Sequence, residues 1–142
     1  MGYEISGALG IKMAKPDQDV VVFVGDGSYL LNNTDIYSSV IYDQKLIIIV
    51  CDNGGHMVIN RLQLAKGGKE YICNLRAARA TNLKFVDFEN HAKSMGANAE
   101  TVSSTSELEA AYKRAKDSDK TYVISIKTHG YEWLEGTAFW ES

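Results

Sequence analysis

Two runs of consecutive apolar residues stand out in the pattern of the sequence, and both end abruptly in small polar residues. The runs and their polar ends are 20–24 followed by Gly25-Asp26-Gly27-Ser28, and 46–51 followed by Asp52-Asn53-Gly54-Gly55. Unbroken, largely β-branched runs of this length are typical of strands buried on both faces of a parallel sheet. The pattern therefore predicts two core strands whose polar tips, with Asp26 and Asn53 27 positions apart, lie side by side.

Elsewhere, apolar residues recur at the three-to-four-residue spacing of helices that cover a sheet. Helices are predicted over 3–14, from Ser28 to about Val40, from Glu89 to Met95, and from Ser104 onwards. The inward positions predicted for the first two are Ile5, Ala8, Leu9, Met13, Leu31, Ile36, Val40 and Ile41. Short strands are predicted at 99–102 and 121–126. This alternation predicts an α/β fold, a three-layer domain with a mainly parallel sheet flanked by helices.

Three parts of the chain depart from this alternation. The segment 53–82 has no sustained period, and an excursion of that length in a compact domain is usually functional or disordered. The tail from Thr128 is aromatic, which favours packing roles; its large rings are Tyr131, Trp133, Phe139 and Trp140. A parallel sheet that opens on a helix lacks a first strand, so residues 1–142 are predicted to form one domain of a longer protein.

Composition and charge exclude several classes of function. The 142 residues suffice for one domain, and a net charge of −3 without a basic cluster argues against nucleic-acid binding. The apolar runs are far shorter than the ~20 residues that span a bilayer, and the first residues lack the pattern of a signal peptide. The two cysteines, Cys51 and Cys73, indicate neither disulfides nor a cysteine-ligated metal, so a cytoplasmic location is expected.

The small residues around Asp26 indicate a phosphate site, but its carboxylate contradicts that reading unless a cation is present. The two flanking glycines let the backbone turn tightly, and a helix beginning near Ser28 offers N–H groups and a positive dipole end to an anion. A carboxylate beside a phosphate is repulsive, so the pattern predicts a hard cation between them. Asp26, Asn53 and the backbone carbonyl of Gly55 are oxygen donors of the kind that Mg²⁺ and Ca²⁺ take.

Each tip also has an ordinary structural interpretation. Gly-Asp-Gly after a strand is common as a turn in which Asp26 caps the next helix, and Asp-Asn-Gly is a frequent turn sequence. The pair favours the metal site, because ligands of parallel sheets bind at the carboxyl ends of strands. Other nucleotide motifs fit less well: Leu30 stands where a dinucleotide fingerprint needs glycine, and the sequence has no GxxxxGK[ST] motif.

The two tips together resemble the thiamine-diphosphate signature of the thiamine-dependent decarboxylases and acetolactate synthases. The resemblance implies the fold of their diphosphate-binding domain, with Mg²⁺ bound by the side chains of Asp26 and Asn53 and the carbonyl of Gly55. It implies that Gly27 and Ser28 lie against the diphosphate and that Met1 matches the bulky residue supporting the bent cofactor. The implied cofactor-binding residues are Met1, Gly25, Asp26, Gly27, Ser28, Asn53, Gly55, His56 and Met57.

Within that family, segments 1–10, 24–30 and 59–63 resemble hydrolases of inositol catabolism that cleave a C–C bond of a cyclic dione. The resemblance covers nearly the whole chain but only the carboxyl-terminal quarter or so of such a protein. Its implied partners are a small-molecule substrate, the missing pyrimidine-binding domain and a neighbouring subunit of a homo-oligomer. The catalytic glutamate belongs to that other domain, so no catalytic residue is implied in this chain, which is expected to be inactive alone.

Other interpretations stay open from the sequence. One is an acetolactate-synthase-like enzyme acting on 2-keto acids; another is a non-catalytic module that binds Mg²⁺ and a diphosphate, or only packs as a subunit. For His56, a role toward the substrate or diphosphate and an ordinary surface position are equally compatible with the sequence. His91 and His129 are predicted to be structural or exposed.

Overall fold

The computed structural model describes residues 1–80, 82 and 84–132, so Trp133, Phe139 and Trp140 of the aromatic tail lie outside the described residues. The strands are β1 (Val21–Gly25), β2 (Ile47–Asp52), β3 (Asn98–Val102) and β4 (Tyr122–Lys127). The helices are α1 (Glu4–Ala14), α2 (Asp26–Leu31), α3 (Thr34–Ile41), α4 (Met57–Ala65), α5 (Phe88–Ser94) and α6 (Thr105–Asp117), with a short 3-10 helix at Leu75–Ala77.

Within the described residues the four strands form one sheet, in the order β1-β2-β4-β3. Every pair in it is parallel. The predicted α/β fold with a parallel sheet is thereby confirmed, and β3 and β4 confirm the predicted short strands. Because all strands run the same way, their carboxyl ends lie at the same end of the sheet, and ligands of such sheets bind at this end.

Helices cover both faces of the sheet. On one face, α1, α2, α3 and α5 contribute side chains to a buried cluster with the middle strands; its larger members include Ile5, Tyr29, Ile36, Ile48 and Phe88. On the other face, Ala111 and Ala115 of α6 pack against Ile47 and Ile124. Each large apolar side chain buried in this way stabilises the fold by about 1.5–3 kcal/mol relative to an exposed one.

Strand β1 does not match the prediction that it is buried on both faces. Phe23 is 64% exposed and Val21 is 36% exposed, although Val22 and Val24 face the core. The register pairs Val21 with Ile47, which places Val21 and Phe23 on the α6 side of the sheet. β1 is an edge strand, and α6 contacts β2, β3 and β4 instead. An apolar run cannot distinguish an edge strand from a central one, because coverage depends on strand order.

The helix predicted from Ser28 to about Val40 is two helices. α2 begins at Asp26, so Ser28 lies in its first turn and does not cap it. α3 follows after a break at Asn32 and Asn33, and the Asn33 amide donates a hydrogen bond to the carbonyl of Tyr29 at 3.1 Å. Short polar side chains compete with helical hydrogen bonds in this way, which explains where α2 ends.

The inward positions predicted for the first helices are correct in part. Buried residues among them are Ile5, Ala8, Leu9 and Ile36, and Val40 packs partly against the same cluster. Met13, Leu31 and Ile41 are each more than half exposed. The break between α2 and α3 removes the single continuous face on which the prediction for Leu31 and Ile41 depended.

Local caps explain why α5 and α6 begin close to the predicted residues. The Asp87 carboxylate accepts the N–H of Asn90 at 3.0 Å, and the Ser104 hydroxyl accepts the N–H of Glu107 at 3.2 Å. The Glu107 carboxylate in turn accepts the N–H of Ser103 at 2.7 Å. Such reciprocal caps satisfy N–H groups that a helix start leaves free, and they need only neighbouring residues.

Two further sequence expectations concern the cysteines and the membrane. Cys51 and Cys73 are both free thiols and are half-buried. In the described part of the chain, no helix has both the length and the apolar character needed to cross a bilayer.

Candidate metal and anion site

The sheet brings the two polar tips together as predicted. β1 and β2 are adjacent and parallel, and their register sets Gly25 opposite Cys51. Asp26, the first residue after β1, and Asp52, the last residue of β2, therefore lie side by side at the carboxyl end of the sheet, and Asn53 comes one residue later. The 26 residues between Asp26 and Asn53 form the rest of α2, α3, β2 and their connections, which bring the chain back beside the end of β1.

Asp26 makes the main contacts between the two tips and is only 2% exposed. Its Oδ2 atom accepts the N–H of Gly55 at 2.7 Å and the N–H of Gly54 at 3.1 Å. These bonds join the start of α2 to the loop after β2. Asp26 thus binds the second tip directly and is more than a helix-start residue, although its position in the first turn of α2 is also favourable for a carboxylate.

The surroundings of Asp26 are unfavourable for an isolated charge. Burial raises the pKa of the Asp26 carboxyl above its ordinary value, and the nearby charge of Asp52 adds to this effect. Hydrogen bonds from the backbone N–H groups of Gly55 and Gly27 oppose it. A cation beside Asp26 would offset both the burial and the repulsion.

Asp26 Oδ1, one outer atom of the Asn53 amide and the carbonyl oxygen of Gly55 lie together. One outer atom of the Asn53 amide lies 3.0 Å from Asp26 Oδ1 and 2.9 Å from the carbonyl oxygen of Gly55. If that atom is the nitrogen, it donates a hydrogen bond to each oxygen. If the amide is turned so that its oxygen takes this position, three oxygens lie together with no proton between them, which is stable only around a cation.

The spacing of this oxygen cluster suits Mg²⁺. Adjacent ligands of an octahedral ion with bonds of about 2.1 Å are about 3.0 Å apart. The observed separations of 2.9 and 3.0 Å match that value, and they equally match hydrogen bonds donated by the Asn53 amide nitrogen when no cation is bound. Among the described residues no group of three or more His, Cys, Asp or Glu side chains could hold a metal ion, so this mixed set of one carboxylate, one amide and one carbonyl is the candidate.

The segment after α4 fixes the loop that carries Asn53 and Gly55. The N–H of His56 donates to the carbonyl of Cys73 at 2.8 Å, and the N–H of Leu75 donates to the carbonyl of Gly54 at 3.0 Å. Gly55 also forms an isolated bridge with Asn74. Part of the irregular segment 53–82 therefore supports the candidate site, which the sequence pattern did not reveal.

All nine residues predicted to bind a cofactor line one cleft of about 240 Å³. They are Met1, Gly25, Asp26, Gly27, Ser28, Asn53, Gly55, His56 and Met57. Val58 and Ile59 of α4 also line the cleft and were not predicted. Helix α4 contributes these apolar side chains because it begins immediately after the loop, so its first turn faces the same opening.

His56 lies against the glycine of the first tip. A Cβ added to Gly27 would come within 2.7 Å of His56 Cε1 and 3.0 Å of Cγ, so the imidazole occupies the space that any other side chain would need. This contact places His56 in the candidate site. His91 instead pairs with the hydroxyl of Tyr29 at 2.9 Å, and His129 lies 3.6 Å from Glu132, both away from the cleft.

We expect Gly27→Ala to displace the His56 ring and to lower the melting temperature by a few degrees, because the overlap costs about 1–3 kcal/mol. The double variant Gly27→Ala/His56→Ala removes the overlapping ring and should recover most of that loss. Thermal unfolding followed by circular dichroism measures both changes. Equal melting temperatures for the single and double variants would show that the ring does not oppose a Cβ at position 27.

Two residues beside the site, Glu4 and Asp52, were not predicted from the sequence. The first is Glu4, whose carboxylate forms a hydrogen bond with the Ser28 side chain. Burial raises the pKa of the Glu4 carboxyl, but the hydrogen bonds to this carboxylate outweigh burial and leave the pKa below its ordinary value. Asp52 is 5% exposed and hydrogen-bonds to the N–H of Gly54 at 3.2 Å. The carboxylate in the second tip was the available signal for Asp52; nothing in the local pattern around Glu4 indicated its contact.

Comparisons with known proteins agree on one family. Residues 1–126 match the family model described as thiamine pyrophosphate enzyme, C-terminal TPP binding domain. The chain is 38% identical over 138 residues to the 3D-(3,5/4)-trihydroxycyclohexane-1,2-dione hydrolase of Halalkalibacterium halodurans, covering 93% of this chain and 22% of that protein. It is 36% identical to the Bacillus subtilis protein of the same name, covering 97% of this chain and 23% of that protein.

A solved structure shows the same fold at lower identity. The thiamine diphosphate-dependent 4-hydroxybenzoylformate decarboxylase of Rhodococcus jostii RHA1 aligns with a TM-score of 0.74 and 24% identity. The alignment covers 91% of this chain and 23% of that chain. The chain thus spans less than a quarter of the length of these relatives.

Proposed function

The chain belongs to the thiamine pyrophosphate enzyme family, matching its C-terminal TPP-binding domain, and from that premise we propose that it binds the diphosphate of thiamine diphosphate through Mg²⁺. The observation that supports this most strongly is the cluster formed by Asp26 Oδ1, the Asn53 amide and the Gly55 carbonyl, with separations of 2.9 and 3.0 Å. Hard oxygen donors at that spacing fit Mg²⁺, which keeps further positions for phosphate and water.

In this proposal most residues of the cleft have a definite task. Asp26 supplies the charge that attracts the cation, and Asn53 and Gly55 complete the protein ligands. Gly27 and Ser28 lie against the diphosphate, where a bare Cα allows close approach. Met1, Met57 and the apolar side chains of α4 exclude water from the adjoining part of the cleft.

The longer protein is proposed to be a hydrolase that cleaves a C–C bond of a cyclic dione. The names of the relatives describe those proteins as hydrolases of a trihydroxycyclohexane-1,2-dione. Thiamine diphosphate, when bound, supplies the carbanion chemistry, and the protein contributes orientation and electrostatics. This chain is proposed to hold the cofactor's diphosphate end and no catalytic acid or base. The glutamate that the family resemblance requires would come from another domain, on the neighbouring subunit of a homo-oligomer.

Calorimetry on this chain tests the proposal. We expect thiamine diphosphate to bind in the presence of Mg²⁺ and to lose measurable binding when EDTA removes the metal. Unphosphorylated thiamine is the matched control, and it should not bind because it lacks the diphosphate. Binding of thiamine and thiamine diphosphate with equal affinity, or failure of the chain to bind thiamine diphosphate in the presence of Mg²⁺, would exclude the proposed site.

Activity assays separate the proposal from its alternatives. The isolated chain should show no turnover of a cyclic dione or of a 2-keto acid, and addition of the missing part of the protein should restore one of them. Restored action on 2-keto acids would favour the acetolactate-synthase-like alternative. Cofactor binding without turnover in the completed protein would favour a non-catalytic module.

Asn53→Asp should make the stability of the chain depend on metal. In the metal-free protein the Asn53 amide can donate to both Asp26 and Gly55, whereas a carboxylate there adds a third acceptor without a proton. We expect the metal-free variant to be less stable by about 1–3 kcal/mol, which lowers the melting temperature by several degrees. Millimolar Mg²⁺ should raise the melting temperature of this variant more than that of the wild type.

Asn53→Ala is the matched control for this experiment. It removes the donor without adding a charge, so Mg²⁺ should not recover its stability. A metal-independent melting temperature for Asn53→Asp would argue that position 53 does not face a cation.

A further inference from the structure

Asp52 is a buried carboxylate to which the proposed function assigns no role, and it is anchored by the end of a neighbouring strand. Its Oδ2 accepts a hydrogen bond from the Lys127 ammonium. The parallel register of β2 and β4 sets Lys127 directly opposite Asp52. The backbone reinforces the pairing, because the N–H of Thr128 donates to the carbonyl of Asp52 at 2.9 Å. The last residue of β2 is therefore held by β4 through both main chain and side chain.

The other oxygen of Asp52 reaches the metal-binding loop. Oδ1 accepts the N–H of Gly54 at 3.2 Å, and the same N–H also lies 3.1 Å from Asp26 Oδ2. The N–H of Gly54 is thus hydrogen-bonded to two carboxylates, that of Asp26 at the start of α2 and that of Asp52 at the end of β2. It lies between the two backbone positions, Asn53 and Gly55, that carry the remaining oxygens of the candidate site.

Two carboxylates that share one N–H repel each other, and burial strengthens this repulsion. Lys127 provides the countercharge for Asp52. Its ammonium also lies 5.5 Å from the centroid of the Phe85 ring, a cation–π distance that favours the same placement. With Asp52 neutralised in this way, Asp26 is the carboxylate left for a metal ion.

We propose that Lys127 and Asp52 are positioning residues for the metal-binding loop, which hold Gly54 so that Asn53 and Gly55 present their oxygens beside Asp26. The pair touches neither the metal nor the diphosphate and acts only through the loop. This inference rests on the proposed function for the identity of the ligand, a divalent cation bound with a diphosphate. The anchoring of the loop itself can be measured without any ligand.

Exposure distinguishes this pair from an ordinary surface ion pair. Surface pairs contribute little to stability, because solvent screens them. The side chain of Asp52 is only 6% exposed, so loss of its partner leaves a buried charge that the loop must move to hydrate. The side chain of Lys127 is 62% exposed, so its replacement opens no cavity in the core.

Amide hydrogen exchange of the metal-free chain, measured by NMR, tests the anchoring directly. In Lys127→Met we expect the Gly54 and Gly55 amides to exchange roughly tenfold faster, with the amides of β3 as an unchanged internal reference. Lys127→Arg keeps the charge and should restore the wild-type rates. Lys93→Met is the matched control, since it removes a lysine that pairs with Glu89 at 2.6 Å on α5, away from the loop.

A double-mutant cycle with Asp52→Asn identifies the cause. Asparagine keeps an oxygen for the Gly54 N–H but carries no charge to neutralise. Lys127→Met should therefore accelerate exchange much less in the Asp52→Asn background than in the wild type. Equal acceleration in both backgrounds would show that Lys127 acts without Asp52 and would overturn the proposal.

Ligand binding provides the second measurement, with Mn²⁺ and inorganic pyrophosphate as probes and electron paramagnetic resonance as the readout. Lys127→Met should weaken Mn²⁺–pyrophosphate binding roughly tenfold, the lower end of what outer residues contribute to metal sites. Lys127→Arg and Lys93→Met should leave it unchanged. Unchanged amide exchange in Lys127→Met overturns the positioning role. If Lys127→Met accelerates amide exchange as expected but the wild type shows no Mn²⁺-dependent pyrophosphate binding, the proposed function is overturned and the positioning role is not.

Discussion

Asp26→Asn is expected to abolish Mg²⁺-dependent binding of thiamine diphosphate while leaving the fold intact. Asparagine keeps an oxygen that can accept the N–H groups of Gly54 and Gly55, but it removes the charge that attracts the cation. Residues that only orient metal ligands contribute 10- to 100-fold to affinity. Loss of the charged ligand itself should therefore weaken binding by roughly 100-fold or more, which corresponds to about 2.7 kcal/mol. Isothermal titration calorimetry with and without Mg²⁺ measures the effect.

Two comparison variants define what Asp26 contributes. Asp26→Ala also removes the acceptor of two N–H groups, so it should lose about 1–3 kcal/mol of stability in addition to binding. Asp87→Asn makes the same carboxylate-to-amide change at the start of α5, where asparagine is an equally good cap, and should bind normally. If Asp26→Asn keeps wild-type affinity, Asp26 serves only the turn between β1 and α2.

The second large effect is expected at Gly55, where alanine should both destabilise the chain and eliminate metal-dependent binding. Gly55 has φ +141°, a conformation that residues with a side chain rarely adopt. A Cβ there would overlap the carbonyl oxygen of Cys73 and lie 3.3 Å from the backbone nitrogen of Leu75. Because these are backbone atoms, the loop must move, and we expect a loss of about 3 kcal/mol or more. Thermal unfolding and calorimetry measure the two effects.

Gly54→Ala is the matched control for Gly55→Ala. Gly54 also has a positive φ, of +87°, but a Cβ at this position would meet no atom within 4 Å. The control should therefore lose only the conformational contribution, about 1–2 kcal/mol, and should retain metal-dependent binding. Similar losses of stability and binding in both variants would mean that backbone conformation, and not contact with Cys73, accounts for the requirement at Gly55.

The parts of the site predicted from sequence are those whose signals are local. An apolar run followed by Gly-Asp-Gly or Asp-Asn-Gly marks the end of a strand, and in a parallel sheet such ends share one edge. The contradiction between the Asp26 carboxylate and a phosphate cradle was visible from residue types alone. The convergence of Asp26, Asn53 and Gly55 confirms that the two tips lie side by side, while metal binding at them stays a prediction.

The two incorrect predictions have different origins, which are strand order for β1 and local polar side chains for the helix from Ser28. Val20 to Val24 reads like a central strand, yet β1 lies at an edge and leaves Phe23 exposed. Asn32 and Asn33 divide the helical pattern from Ser28 onwards, and their short polar side chains were a local signal that the prediction did not use. For β1 the composition of the segment is correct for a strand, but the neighbouring elements decide which side chains are covered.

The amino-acid sequence by itself determined the four strands, most of the helices, the polar ends of two strands and the residue types of the candidate site, because turns, caps and apolar periodicity act over a few residues. Helix α4 and the division between α2 and α3 were not predicted. Only the tertiary structure decided that the His56 ring would fill the space above Gly27, and that Lys127 would face Asp52. Asp52 and Lys127 are 75 positions apart, and their pairing depends on the register of β2 against β4. Register is a property of the whole sheet, since it depends on which apolar side chains both strands bury together.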